Sequence, residues 1–161
     1  MPDFESDSVN WRTIGVKRER KHDALIARLT LENKSIFQYL KDMMVFAAMI
    51  GYSQGERREL SGETIDIILE TYATDEKDGF IYLLGLLELK DGQVLKDQNL
   101  RKCVEVFEEY CNAGLYFMEA WLDDNPGDPS GVDTLLDKIY NQMAENEKTE
   151  APNNDDIELD L

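Results

Sequence analysis

Few residues in this sequence have types and spacings that suit chemistry. His22 is the only histidine among 161 residues, in the run Arg20-Lys21-His22-Asp23. Acid–base catalysis needs a titratable group tuned by a neighbour, and a histidine among charged residues at a helix start is expected on the solvated surface. Cys103 and Cys111 lie eight positions apart in one helical stretch. A rise of about 1.5 Å per residue separates them by roughly 12 Å, too far for a disulfide within that helix. Neither has a metal-ligand spacing, so both are expected as small buried hydrophobes. Glu108 and Glu109 resemble helical metal-binding carboxylates, but the Glu-x-x-His partner motif of such bundles is absent. With Glu105 they are expected to face water. There is no Gly-x-Ser-x-Gly elbow or phosphate-cradling loop, and Gly85 and Gly92 lack the context of one. The expectation is therefore no catalytic residue, no metal ligand, no cofactor and no enzyme.

Two charged features remain as candidate binding elements. The formal net charge is −17, which repels nucleic acid and anionic lipid overall. The charge is nevertheless uneven. Arg12 to Lys34 carries seven cations against three carboxylates, and Glu145 to Leu161 carries seven carboxylates against one lysine. Arg12, Lys17, Arg18, Arg20, Lys21, Arg28, Arg57 and Arg58 are the candidates for contact with nucleic-acid phosphates; the alternative is a solvated helix start with scattered ion pairs. In the tail, Asp155 and Asp156 with the apolar Ile157, Leu159 and Leu161 are the candidates for docking a partner. The methionines Met43, Met44, Met49 and Met118 fall at core spacing and read as packing. Tyr39, Tyr52, Tyr110 and Tyr116 define no base-stacking platform.

Hydrophobic periodicity supplies the elements that position these residues. Trp11 to Val16 suits a short strand, followed by a basic helix from Arg18 to Leu31 burying Leu25, Ile26 and Leu29. Ser35 is placed to cap a second helix, in which Ile36, Leu40, Met43, Ala47 and Ile50 form a stripe and Gly51 ends the run. That stripe is broad enough to make this helix central. Residues 61–72 stay open between strand and helix, with a short extended element favoured. A helix from Asp75 to Leu89 is expected to turn Phe80, Leu83, Leu84 and Leu87 inward, with Gly92 closing it. From Asn99 to Asp123, Leu100, Val104, Phe107, Cys111, Gly114, Met118 and Trp121 repeat a four-three spacing. Gly114 costs about 1 kcal/mol inside a helix, which points to close approach of a neighbouring helix. Pro126 and Pro129 break the chain, and a last helix from Val132 to Ala144 carries Leu135, Leu136, Ile139 and Met143. The fold class is mostly α: a single compact helical domain of about five helices with one or two short edge strands. A flexible N-terminus (1–11), the domain (12–144) and a disordered acidic tail (145–161) make up the chain. No apolar run reaches the roughly 20 residues that cross a bilayer, and the acidic N-terminus is no secretory signal, so no membrane partner and a cytoplasmic location are expected.

The order TIGVKRERKHDAL, KDMMVFAAMIGYSQGERREL, FEEYCNAGLYFMEAWL resembles a small accessory family associated with bacterial DNA phosphorothioation (dnd) systems. The resemblance rests on Lys41-Asp42, Phe46-Ala47-Ala48, Gly51-Tyr52, Gly55 and Arg57, then on Phe107 to Tyr110, Asn112 and Gly114-Leu115, and spans roughly residues 12–140. It implies an accessory of a sulfur-dependent modification and restriction system that protects bacteria from foreign DNA, and carries no assigned catalytic residue. Cys111 stands where that family has a small residue such as alanine, and the acidic tail reads as particular to this chain. The resulting expectation is a non-enzymatic adaptor for protein components of a defence system, with DNA as a second candidate partner. The alternatives are a DNA-binding transcriptional regulator and an acidic DNA mimic that inhibits a nuclease.

Overall fold

A computed structural model describes residues 9–31 and 36–150. Among them are six α-helices and one antiparallel pair of strands: β1 (Gly15–Glu19), α1 (Asp23–Thr30), α2 (Leu40–Ser53), β2 (Thr64–Ile68), α3 (Leu69–Ala73), α4 (Asp78–Leu89), α5 (Leu100–Asp123) and α6 (Val132–Glu150), with short 3-10 turns between. The mostly α fold class is as expected, with six helices rather than about five because residues 61–72 hold both a strand and a short helix.

The centre is the contact between α2 and α5. Met43, Met44, Ala47 and Ala48 of α2 are at most 1% exposed, as are Val104, Phe107, Cys111, Leu115 and Met118 of α5. Two glycines let the backbones touch. A Cβ at Gly114 would overlap the Ala47 carbonyl, and one at Gly51 would overlap the Tyr110 carbonyl. Moving four residues forward on α2 moves the contact four residues back on α5, so the helices run antiparallel with one reciprocal contact per turn. Gly114 thus has the close-approach role its sequence position implied. Gly51 does not end α2 but lies inside it, and the helix continues to Ser53.

Other differences have physical causes. Trp11–Thr13 is a 3-10 turn capped by Asn10 rather than a strand, and the basic run forms β1 and the 3-10 turn Arg20–His22, so α1 starts only at Asp23. β1 is held in register against the β-branched run of β2, with Val16 opposite Ile67 and Arg18 opposite Ile65. Ser35 lies outside the described residues, and α2 starts at Leu40, because Tyr39 is extended and Phe37 N–H donates to the Leu29 carbonyl instead of joining a helix. α4 is apolar on nearly every side, so periodicity alone could not choose its inner face. Gly85 chooses it by packing directly on Cys103. Ile81, Leu84 and Gly85 turn inward, while Phe80, Leu83 and Leu87 are 38%, 47% and 43% exposed. Lys90, at φ 52°, takes the left-handed closing position expected of Gly92. α6 runs six residues beyond the expected helix end at Ala144, to Glu150. It is anchored by Thr134 and Leu135, while Leu136 and Met143 are exposed.

Replacing Gly114 by leucine should lower stability by about 1–3 kcal/mol or more, since backbone cannot yield to a side chain as a flexible neighbour can. Gly79 in α4 has open space where a Cβ would stand, so Gly79→Ala should stabilise by about 0.5–1 kcal/mol. Equal thermal denaturation midpoints for the two variants would remove the close-contact account.

Candidate functional site

The basic residues singled out in the sequence do not form one open patch. Arg12 lies against Glu70 at 3.7 Å, Arg18 pairs with Asp23, and Arg57 bridges Glu88 and Glu109 at 2.8 and 2.7 Å. Arg28 donates to the carbonyls of Asp128 and Pro129, tying α1 to the proline-containing turn. Lys21 contacts Glu19 at 2.8 Å and Arg58 contacts Glu56 at 2.9 Å. Only Lys17 and Arg20, of the eight, have side chains without a hydrogen-bond or ion-pair partner among the described residues. The five tail residues from Asp155 to Leu161 proposed for docking lie outside the described residues.

What the structure does bring together is a buried polar node where β1 meets α5. Glu19, 1% exposed, closes β1. Its carboxylate accepts from Ser61 N–H at 2.7 Å, from Asn112 Nδ2 at 3.2 Å and from the Tyr116 hydroxyl at 3.2 Å. Asn112 also donates to the carbonyls of Arg58 and Glu59. Its amide nitrogen thus faces three acceptors, leaving Oδ1 for His22 Nε2 at 3.1 Å. His22 is therefore the Nε2–H tautomer. It is fully buried, not solvated as expected, because Asn112 and the edge of Tyr116 (centroids 4.8 Å apart) enclose it. Lys21 and Arg58 lie over the Tyr116 ring at 4.7 and 4.1 Å, so that ring is already covered by cations.

A second clamp fixes the other end of β1. Glu108, expected to face water, is 6% exposed and accepts from Lys17 N–H at 2.9 Å and from Arg101 at 3.1 Å. Burial pushes its carboxyl above the usual range, and the two donors work against that. Cys103 and Cys111 are free and buried, as expected, and burial raises both thiols. Such thiols make poor nucleophiles at neutral pH. Among the described residues no group of three or more His, Cys, Asp or Glu side chains is placed to hold a metal ion, and no helix is long and apolar enough to cross a membrane.

Sequence reasoning missed two features. One is the node, whose available signal was Asn112, a polar residue set in an apolar helical run. The other is the strip formed by Phe80, Leu83 and Leu87. Their offsets of three and four place them side by side on the outer face of α4. An apolar groove of about 270 Å³ also opens between α2, α5 and α6, lined by Phe46, Met49, Ile50, Trp121, Ile139 and Met143.

Among known sequences, the model of the family described as DNA sulphur modification system-associated protein 4 matches residues 15–159. That match extends into the tail, to residue 159. No curated protein and no solved structure matches the chain.

His22 ties the node to pH. Burial, the largest influence, holds its pKa below the ordinary 6.5, while the Asn112 bond and the carboxylates of Glu119 and Glu19 pull it back and Lys21 adds to the lowering. The unfolded chain therefore takes up the proton first as pH falls. The stability contributed by neutral His22 is complete above about pH 7.5 and is lost as pH drops through 6.5 toward the folded value. Melting curves of wild type and His22→Gln should diverge with that sign, the wild type losing more on acidification from pH 7.5 to 5.5. Parallel curves would show that His22 does not titrate differently in the two states.

Proposed function

The chain belongs to the DNA sulphur modification system-associated protein 4 family, and we propose that it serves such a system as a non-enzymatic accessory that docks a protein component of the machinery. The observation that carries this reading is the exposed apolar strip Phe80, Leu83 and Leu87 on α4. Burying such side chains stabilises a complex by roughly 25 cal/mol per Å² removed from water, and contiguous exposed apolar surface marks interaction sites.

The electrostatics favour a protein partner over DNA. Phosphate contact requires cations free to neutralise it. Six of the eight candidates are already engaged within the fold, leaving Lys17 and Arg20 against a net charge of −17. A partner that presents an apolar patch ringed by basic residues gains from both the strip and the charge.

Purified protein components of the host's DNA sulphur modification system should bind the full chain, as followed by sedimentation or calorimetry. Leu83→Glu together with Leu87→Glu should weaken that binding about tenfold or more while leaving the melting temperature nearly unchanged, because surface positions carry little stability. Unaltered affinity in the double variant would remove the strip from the interface. DNA should not bind at low salt. A log–log salt slope near −3 to −4 that flattens when Lys17, Arg18, Arg20 and Lys21 become alanine would instead support direct DNA contact.

A further inference from the structure

An antiparallel strand pair directs the backbone groups of alternate residues toward its partner and those between them away. Two bonds fix the phase here: Leu69 N–H donates to the Ile14 carbonyl at 2.8 Å, and Arg20 N–H to the Glu63 carbonyl at 2.9 Å. With Val16 opposite Ile67 and Arg18 opposite Ile65, these four are the mutually bonded positions. Gly15, Lys17 and Glu19 therefore turn their backbone groups out on one edge of the ribbon, and Thr64, Asp66 and Ile68 turn theirs out on the other.

The two edges are treated differently. On β1, Arg101 donates to the Gly15 carbonyl at 2.6 Å, Lys17 N–H donates to Glu108 at 2.9 Å, and Arg18 donates to the Glu19 carbonyl at 3.4 Å. Three of the outward groups on that edge are thus taken by side chains, two of them from α5. On β2, the outward N–H and C=O groups of Thr64 and Asp66 and the Ile68 N–H have no hydrogen-bond partner among the described residues, while the Ile68 carbonyl serves the first turn of α3 as its N-cap. The side chains of all three are exposed, Ile68 to 43%. The Asp66 carboxylate rests over Gly15 and has no ion-pair partner among the described residues. Open strand edges are templates for pairing with another chain.

We propose that β2 receives an extended segment of a partner protein as a third strand, with a lysine or arginine of that segment beside Asp66 and an apolar residue beside Ile68. Backbone bonds to Thr64, Asp66 and Ile68 supply affinity, and the side chains of Asp66 and Ile68, which share one face of the strand, supply selectivity. Charge decides between occupants. Pairing β2 in full antiparallel register with a second copy would set Asp66 against its own counterpart, between two molecules that each carry −17; like charges directly opposite destabilise a ladder. A basic strand meets the reverse situation. The proposal stands on this edge alone, so loss of the α4 strip as an interface would leave it intact.

The test is a titration of the isotopically labelled full chain with a synthetic peptide repeating valine–threonine–lysine–threonine, which sets valine and lysine two positions apart on one face, read by amide shifts and hydrogen exchange. Without peptide, the amides of Thr64, Asp66 and Ile68 should exchange much faster than those of Ile65 and Ile67. With peptide, the three should become protected. The same peptide with glutamate in place of lysine should bind about tenfold more weakly, as should the lysine peptide N-methylated at its valines and lysines, which needs no change in the protein. Asp66→Pro removes an outward N–H that β1 does not use, and should also abolish protection at Thr64 and Ile68. Protection elsewhere, or equal binding of the N-methylated peptide, would overturn the proposal. A wild-type dimer that Asp66→Pro converts to monomer would assign the edge to a second copy and overturn the stated partner.

Discussion

Contact of the α2 and α5 backbones at Gly51 and Gly114 sets the geometry on which the rest of the molecule depends. Each glycine accepts a carbonyl of the other helix where a Cβ would stand. The helices are thereby drawn close enough for Met43, Met44, Cys111 and Met118 to interdigitate without solvent. Close packing is stabilising only when volumes match, and two backbones in contact leave a core thin enough for medium side chains to fill. The flanks of α5 then serve other elements. One flank holds α4 through Gly85 on Cys103, and another presents Glu108, Asn112 and Tyr116 to β1.

That second flank explains how a strongly acidic chain positions its basic segment. Glu108, Asn112 and Tyr116 are spaced four apart and so share a face of α5. Glu108 takes the Lys17 N–H near the start of β1, while Asn112 and Tyr116 take Glu19 at its end. The strand is thus held on a helix by three side chains rather than by a broad sheet. Asn112 also donates to the Arg58 carbonyl and Glu19 accepts from the Ser61 N–H, which draws the loop between α2 and β2 onto the same node.

The parts of the fold legible in sequence are those governed by periodicity. The α5 stripe from Leu100 to Met118 is buried as read, because its polar face is distinct enough to fix the helix rotation. α4 lacks that contrast, and a non-local contact between Gly85 and Cys103 decided what periodicity could not. Gly51 was read by its usual role as a helix terminator, whereas its actual role depends on a helix some sixty residues later. His22 failed for a related reason. Its sequence neighbours are charged and exposed, but its enclosing partners, Asn112 and Tyr116, come from α5. The family was legible in the same spacings, including Gly51, Asn112 and Gly114, which prove to be residues of the helix contact and the node. The β2 edge had no sequence signal, since which backbone groups face outward depends on register.

Between β2 and α4 the residues that build the interior alternate with residues left at the surface. Residues 64–89 contribute Leu69, Tyr72, Ile81, Leu84 and Gly85 to the buried interior. The alternate positions of β2 and the outer strip of α4 are spared that duty. A position not needed for burial usually becomes polar, because exposed apolar side chains and open strand edges promote aggregation. Here Ile68, Phe80, Leu83 and Leu87 remain apolar at 38–47% exposure. The net charge of −17 offsets that liability by keeping copies of the chain apart.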